Sequence, residues 1–319
     1  MKCCALFLFC VSAAATAQTP TFTPEQVLAT SIEKIGPKSA GAAAMRAQIR
    51  LDRLRFSPGE IDGQYGTTMK IAIGGFQKSR SLPMTGIVDE ATWQALDQDT
   101  APTLAQYRII DADVAGPFTP VPQDMMEQSR LPSLGYSSIE EALGERFHVA
   151  PALLVQLNPG KDLRKVGEEI LVPNVVPPGK IEGAKSVVVD KSSSTVSLQD
   201  EQGKVLAQFP ASTGSRHDPL PIGRWKINGV GRNPVFKYNP DLFWDADSDH
   251  AKAVIPAGPN NPVGVVWVDL SKKHYGIHGT PEPSKISKTQ SHGCIRLTNW
   301  DAMTLAESVS PGMAARLQP

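Results

Sequence analysis

The chain has 319 residues, with 32 Lys and Arg set against 32 Asp and Glu, so its formal charge is zero. A balanced charge argues against nucleic acid as the main partner, because binding phosphates draws on a basic excess. Hydrophobic residues at 41% and charged residues at 20% exclude wholesale disorder, and at about 150 residues per domain the length predicts roughly two domains.

Residues 1–17 read as a secretory signal peptide. Lys2 supplies the positive end, residues 3–11 (CCALFLFCV) the short apolar core, and Ala15-Thr16-Ala17 an A-x-A cleavage site before Gln18. The apolar run falls short of the ~20 residues that span a membrane, and no later segment reaches that length, so no membrane span is expected. Cys3, Cys4 and Cys10 lie in this leader, which leaves Cys294 as a lone thiol in an exported protein.

Thr23 and Pro24 open a short helix. Residues 42–56 and 67–82 have helical apolar spacing, with a Gly/Pro/Asp loop between them at 57–66, and Asp89 caps a third helix through Leu96. Residues 98–136 are Pro-rich and aperiodic, and predict a linker with some strand near 107–111. Ser138 and Glu141 form a capping box for a helix to Phe147. Pro151 starts another helix, ended by Asn158-Pro159-Gly160, and residues 170–173 read as a strand. After a Pro/Gly linker at 175–180, short β-branched strands follow at 185–190, 195–199, 205–209, 224–228 and 264–270. Asn299 is expected to cap a last helix.

Residues 40–97 resemble the three-helix peptidoglycan-binding domain, through Ile61-Asp62-Gly63, Tyr65-Gly66, Phe76-Gln77, Thr85-Gly86 and Asp89…Thr92. Gly74-Gly75 departs from that pattern, since Gly costs about 1 kcal/mol against Ala inside a helix. Residues 137–174 resemble a LysM module (strand, helix, helix, strand), through Leu153-Leu154…Leu157-Asn158-Pro159 and Ile170…Val172-Pro173, although its usual first strand is missing.

The chemistry concentrates around Cys294, in Ser291-His292-Gly293-Cys294-Ile295-Arg296-Leu297, with His278 sixteen residues upstream. A nucleophilic thiol needs a base or cation beside it, and imidazole is the usual partner. In an extended strand His292 and Cys294 share a face, so both histidines are candidates. Gly293 permits close backbone approach and an oxyanion hole, and Arg296 could hold a carboxylate.

Residues 184–318 resemble the L,D-transpeptidase catalytic domain of the YkuD family, through His278-Gly279-Thr280, the Ser291–Leu297 motif, Asn299 and Asp301-Ala302. Leu220 before Pro221 departs from the family's Thr-Pro. The resemblance implies a multidomain α+β protein. Its mostly-β, sandwich-like catalytic domain is preceded by the helical domain and the LysM-like βααβ module. It further implies Cys294 as nucleophile and His278 as base, oriented by the Gly279 carbonyl. His292 lines the pocket, the amides of His292, Gly293 and Cys294 hold the oxyanion, and Arg296, Ser291 and Asn299 contact substrate.

The implied reaction takes a peptidoglycan tetrapeptide stem as donor, releases D-Ala through a thioester, and passes the acyl group on. The acceptor is a second stem, giving a 3–3 cross-link, or an outer-membrane lipoprotein or barrel protein. Transfer to water instead makes a hydrolase, and a silent wall-binding protein is a further alternative. The implied location is the periplasm, with no metal and no cofactor. Asp245-x-Asp247-x-Asp249 begins like a calcium loop, but His250 and Pro256 occupy its glycine and glutamate positions, so it reads as a solvated loop.

Overall fold

The computed structural model describes residues 21–30 and 32–319, so the leader at 1–17 lies outside the described residues. Helix α1 (Pro24–Leu28) is followed by α2 (Ala42–Arg53), α3 (Thr67–Ser79) and α4 (Glu90–Leu96). Asp89 caps α4, accepting from the Thr92 amide at 2.9 Å. Ala43, Ala47 and Leu51 of α2 meet Phe76 and Trp93 in one core, while Met45 and Ile49 enter a second. Both faces of α2 are therefore buried, which welds the first module to the next.

That next module is built from β1 (Leu104–Arg108), α5 (Asp111–Val114), α7 (Ile139–Arg146), α8 (Pro151–Leu157) and β2 (Glu169–Pro173), with α6 (Met125–Gln128) on the stretch between α5 and α7. β1 and β2 pair antiparallel, Leu104 against Pro173. Residues 98–136, read as a linker, are thus structural. They supply the first strand, two short helices, and a strap at 117–137 that leaves the module and lies on the catalytic domain. The aperiodic, Pro-rich composition hid this, because the strap's buried residues belong to another domain's core.

Strands β3 (Ser186–Asp190), β4 (Thr195–Gln199), β5 (Val205–Pro210), β6 (Gly223–Arg232), β9 (Val266–Leu270), β10 (Gly276–His278), β11 (Ile295–Arg296) and β12 (Ala314–Gln318) form one sheet, ordered β11-β10-β9-β6-β12-β3-β4-β5. Irregularities at Leu198/Gln199 and Ile227/Gly229 bend it. Residues of both its ends share one core with helix α9 (Asn299–Ser308): Val187 and Phe209 with Ile277, Ile295 and Leu305. A separate hairpin, β7 (Phe236–Tyr238) and β8 (Ala253–Ile255), carries the 239–252 loop.

The β5 edge is covered by the first module. Ser57 N donates to Gln208 O and Gln208 N to Arg55 O, each at 2.9 Å. Edge strands left open invite pairing with other chains. This contact explains Gly75: a Cβ there would lie 2.4 Å from Gln208 Nε2, and that side chain donates to Ile71 O at 3.1 Å. Among the described residues no helix is long and apolar enough to cross a membrane.

Candidate active site

β10 runs antiparallel to β9 and parallel to β11, so His278 sits opposite both Trp267 and Arg296. Register puts Arg296 on the face that His278 occupies, and Cys294 lies two residues before Arg296, in the turn that leads into β11. The thiol falls beside Gly276 and is partly accessible. It makes a weak hydrogen bond to the His274 carbonyl at 3.9 Å.

The imidazole of His278 is buried and stacked on Trp267, centroids 5.4 Å apart at 15°. Its Nδ1 lies 2.7 Å from the Gly279 carbonyl. A carbonyl only accepts, so Nδ1 carries the proton and Nε2 holds a lone pair. Burial pushes this imidazole down to about 3, the Arg296 guanidinium pushes the same way, and the Gly279 bond opposes both. Burial also pushes the Cys294 thiol up, against the Gly276 backbone and Arg296. Around neutral pH the Cys294 thiol and the His278 imidazole are therefore both uncharged. Arg296 is pushed down by its own burial and drawn up by Cys294, Glu282 and Asp245.

The backbone at 292–294 is bent rather than extended, with Gly293 at φ +95°, a conformation open to glycine. His292 therefore does not share the strand face of Cys294. Its Nε2 lies 2.7 Å from Asp245 Oδ1, and its ring meets Phe243 edge-on at 5.0 Å. The 243–249 loop is exposed at Asp245, Asp247 and Asp249, as a solvated loop should be, and Asp245 holds it as a lid against the motif. Trp244 of the same lid stacks on His217 at 4.5 Å.

Two substrate contacts inferred from the sequence need correction. Ser291 is buried, and its hydroxyl donates to the Cys294 carbonyl, so it braces the thiol-bearing turn. Asn299 is wholly buried. Its amide nitrogen donates to Glu145 Oε1 at 2.8 Å and Pro259 O at 3.1 Å, and its oxygen accepts from the Val265 amide at 3.2 Å. Nor is it the helix cap: Thr298 is, accepting from the Asp301 amide at 3.2 Å.

Sequence reasoning missed Trp267, Tyr275, the lid and the strap. Tyr275 packs against Gly293, and its phenol is pushed up by burial and then by Cys294 and Asp218. The strap is pinned beside the site by Leu134, whose N donates to Ala257 O and whose O accepts from Asn260 N, both at 3.0 Å.

Residues 184–316 match the YkuD family, described as an L,D-transpeptidase catalytic domain, and residues 40–96 match a "Putative peptidoglycan binding domain". The chain is 30% identical over 181 residues to "Putative L,D-transpeptidase YkuD" of Bacillus licheniformis, covering 56% of this chain and 93% of that protein. It is 30% identical over 167 residues to the Bacillus subtilis protein of that name, covering 52% and 85%. A crystal structure of L,D-transpeptidase 3 from Mycobacterium tuberculosis with a faropenem-derived adduct covers 48% of this chain and 75% of its own at 17% identity, with a TM-score of 0.36, a likeness too loose to add weight. Through its catalytic domain, the chain belongs to the YkuD family of L,D-transpeptidases.

Proposed function

We propose that this protein is an exported, wall-associated enzyme that joins peptidoglycan stems through a Cys294 thioester. The observation that supports the reading is the pairing of β10 with β11, which brings the segment holding uncharged His278 alongside the strand that Cys294 immediately precedes. Nδ1 of His278 is committed to Gly279, which leaves Nε2 as acceptor.

The thiol attacks the carbonyl of the third stem residue, and its proton passes to His278 Nε2. Amides of the 292–294 turn hold the oxyanion. The C–N bond to D-Ala breaks, the leaving amine takes the proton from Nε2, and a thioester remains. An acceptor amine attacks that thioester and gives its proton to Nε2. The C–S bond breaks, and the sulfur recovers its proton. The product with a second stem is a 3–3 cross-link. Arg296 orients the donor through its carboxylate. A domain at 40–96 matching a peptidoglycan-binding family supports wall attachment, and we read the βααβ module as a second wall contact.

The test is chromatography of products from the full chain with disaccharide-tetrapeptide. Cross-linked dimer and free D-Ala support transpeptidation. D-Ala with tripeptide alone replaces it by hydrolysis, and no product overturns the catalytic reading.

A further inference from the structure

Beside Arg296 lies a cleft of about 460 Å³, walled on one side by the catalytic domain and on the other by the strap and α7. This volume is in the range of small-molecule ligand sites. The far wall lies outside the 184–316 match, so the catalytic domain alone does not contain it.

Gln128 of α6 lines this cleft and is 7% exposed. Its Nε2 donates to Pro122 O at 2.8 Å, while its Oε1 is buried with no hydrogen-bond partner. A buried acceptor left unpaired is costly unless a donor arrives. Glu141 and Glu282 carry carboxylates into the same cleft. Glu141 accepts from the Ser137 amide at 2.6 Å, and Glu282 faces exposed Lys285. The cationic wall group is Arg296, whose charge is met by Cys294, Glu282 and Asp245. Gln128 Oε1 and Glu141 on the far wall, with Glu282 on the catalytic side, therefore ask for N–H donors and positive charge, opposite to what the carboxylate end of a donor stem presents.

We propose that this cleft seats the amine-bearing acyl acceptor, with Gln128 and Glu282 as the residues that select it. The proposal rests on the thioester reading above and adds where the second substrate binds. The acceptor's side-chain ammonium or its amide N–H groups pair with Gln128 Oε1 and the two carboxylates. That ammonium gives one proton to solvent and, as the free amine, reaches the thioester carbonyl. The C–N bond forms, the C–S bond breaks, and the amine proton leaves through His278. The strap is held before substrate arrives: Asn260 Nδ2 donates to Gly135 O at 2.9 Å, and Leu134 is buried with Tyr238 and Ile255.

The experiment uses the full chain, disaccharide-tetrapeptide as donor and isotope-labelled disaccharide-tripeptide, which lacks the fourth residue and acts only as acceptor. Transfer to the labelled stem is followed against its concentration for wild type, Gln128→Lys, Gln128→Glu and Glu282→Lys. The two lysine variants raise the acceptor KM about tenfold by placing like charge in the cleft, whereas Gln128→Glu lowers it or leaves it unchanged. The thioester mass adduct still forms in all four proteins. An acceptor KM that is the same in all four overturns the proposal. An equal rise in Gln128→Lys and Gln128→Glu makes Gln128 a structural residue and also overturns it. Absence of the adduct in wild type strikes the thioester reading instead.

Discussion

On one side of the segment joining β11 to α9, His278 is buried and Cys294 partly accessible, and the thiol makes only a weak hydrogen bond. On the other side, where three modules meet, Glu145, Asp301 and the Asp52–His148 pair are withdrawn and tied across module boundaries. Glu145 receives Asn299 at 2.8 Å and Tyr136 at 3.2 Å. Asp301 receives Ser57 at 2.8 Å. His148 Nδ1 lies 2.9 Å from Asp52 and its ring stacks on Trp300 at 4.9 Å. Burial shifts protons in both places. It pushes Glu145 up to about 8 and Asp301 up to about 7, as it pushes His278 down to about 3. Burial alone therefore does not mark an active site, nor does an unpaired ring nitrogen, since His148 Nε2 is buried without a partner as well; what sets the first region apart is the thiol of Cys294.

The sharpest way to break this comparison is His278→Gln, which removes the free Nε2. Thioester formation should fall by about 10²–10⁴, the range for loss of a general base. Rapid-mixing mass spectrometry measures it, and a fall below tenfold would move the base elsewhere. A second probe sets the two regions against each other by pH. The acylation rate should stay level from pH 5 to 8, since His278 remains neutral down to about 3 and the thiol lies above its ordinary value. Stability should not stay level. Glu145 sits at about 8, and Glu60, raised by burial and by Asp62, at about 7. These acids hold their protons more tightly folded than unfolded. Their contribution is present below the ordinary carboxylate range and is lost as pH rises through 7 to 8. The Tm should fall across that window, and Glu145→Gln should flatten its upper part; a rising Tm would contradict the junction's role. The smallest effect belongs to the lid. Asp245→Ala removes a partly exposed pair worth up to about 1 kcal/mol, so acylation should change by no more than about fivefold.

The thiol, its upstream histidine and Arg296 were legible in the sequence because they sit in one short motif and its register neighbour. The domain order was legible from helical spacing giving way to β-branched runs. Asn299 was not, since its position beside the motif says nothing about its burial under Glu145, 154 residues away in the chain. The strap and lid were hidden for a related reason. Asp124 bonds His250 at 2.8 Å, and Met125 and Leu131 pack on Tyr238 and Ile255, so their partners lie in another domain. Period and composition register local pattern, and these residues answer to distant surfaces.

The most direct test is the intact mass of the full chain, wild type and Cys294→Ala, after exposure to disaccharide-tetrapeptide. Wild type should gain the mass of the donor less D-Ala, and Cys294→Ala should gain nothing. An adduct of that mass on the Cys294→Ala protein, or none on wild type, would contradict the account.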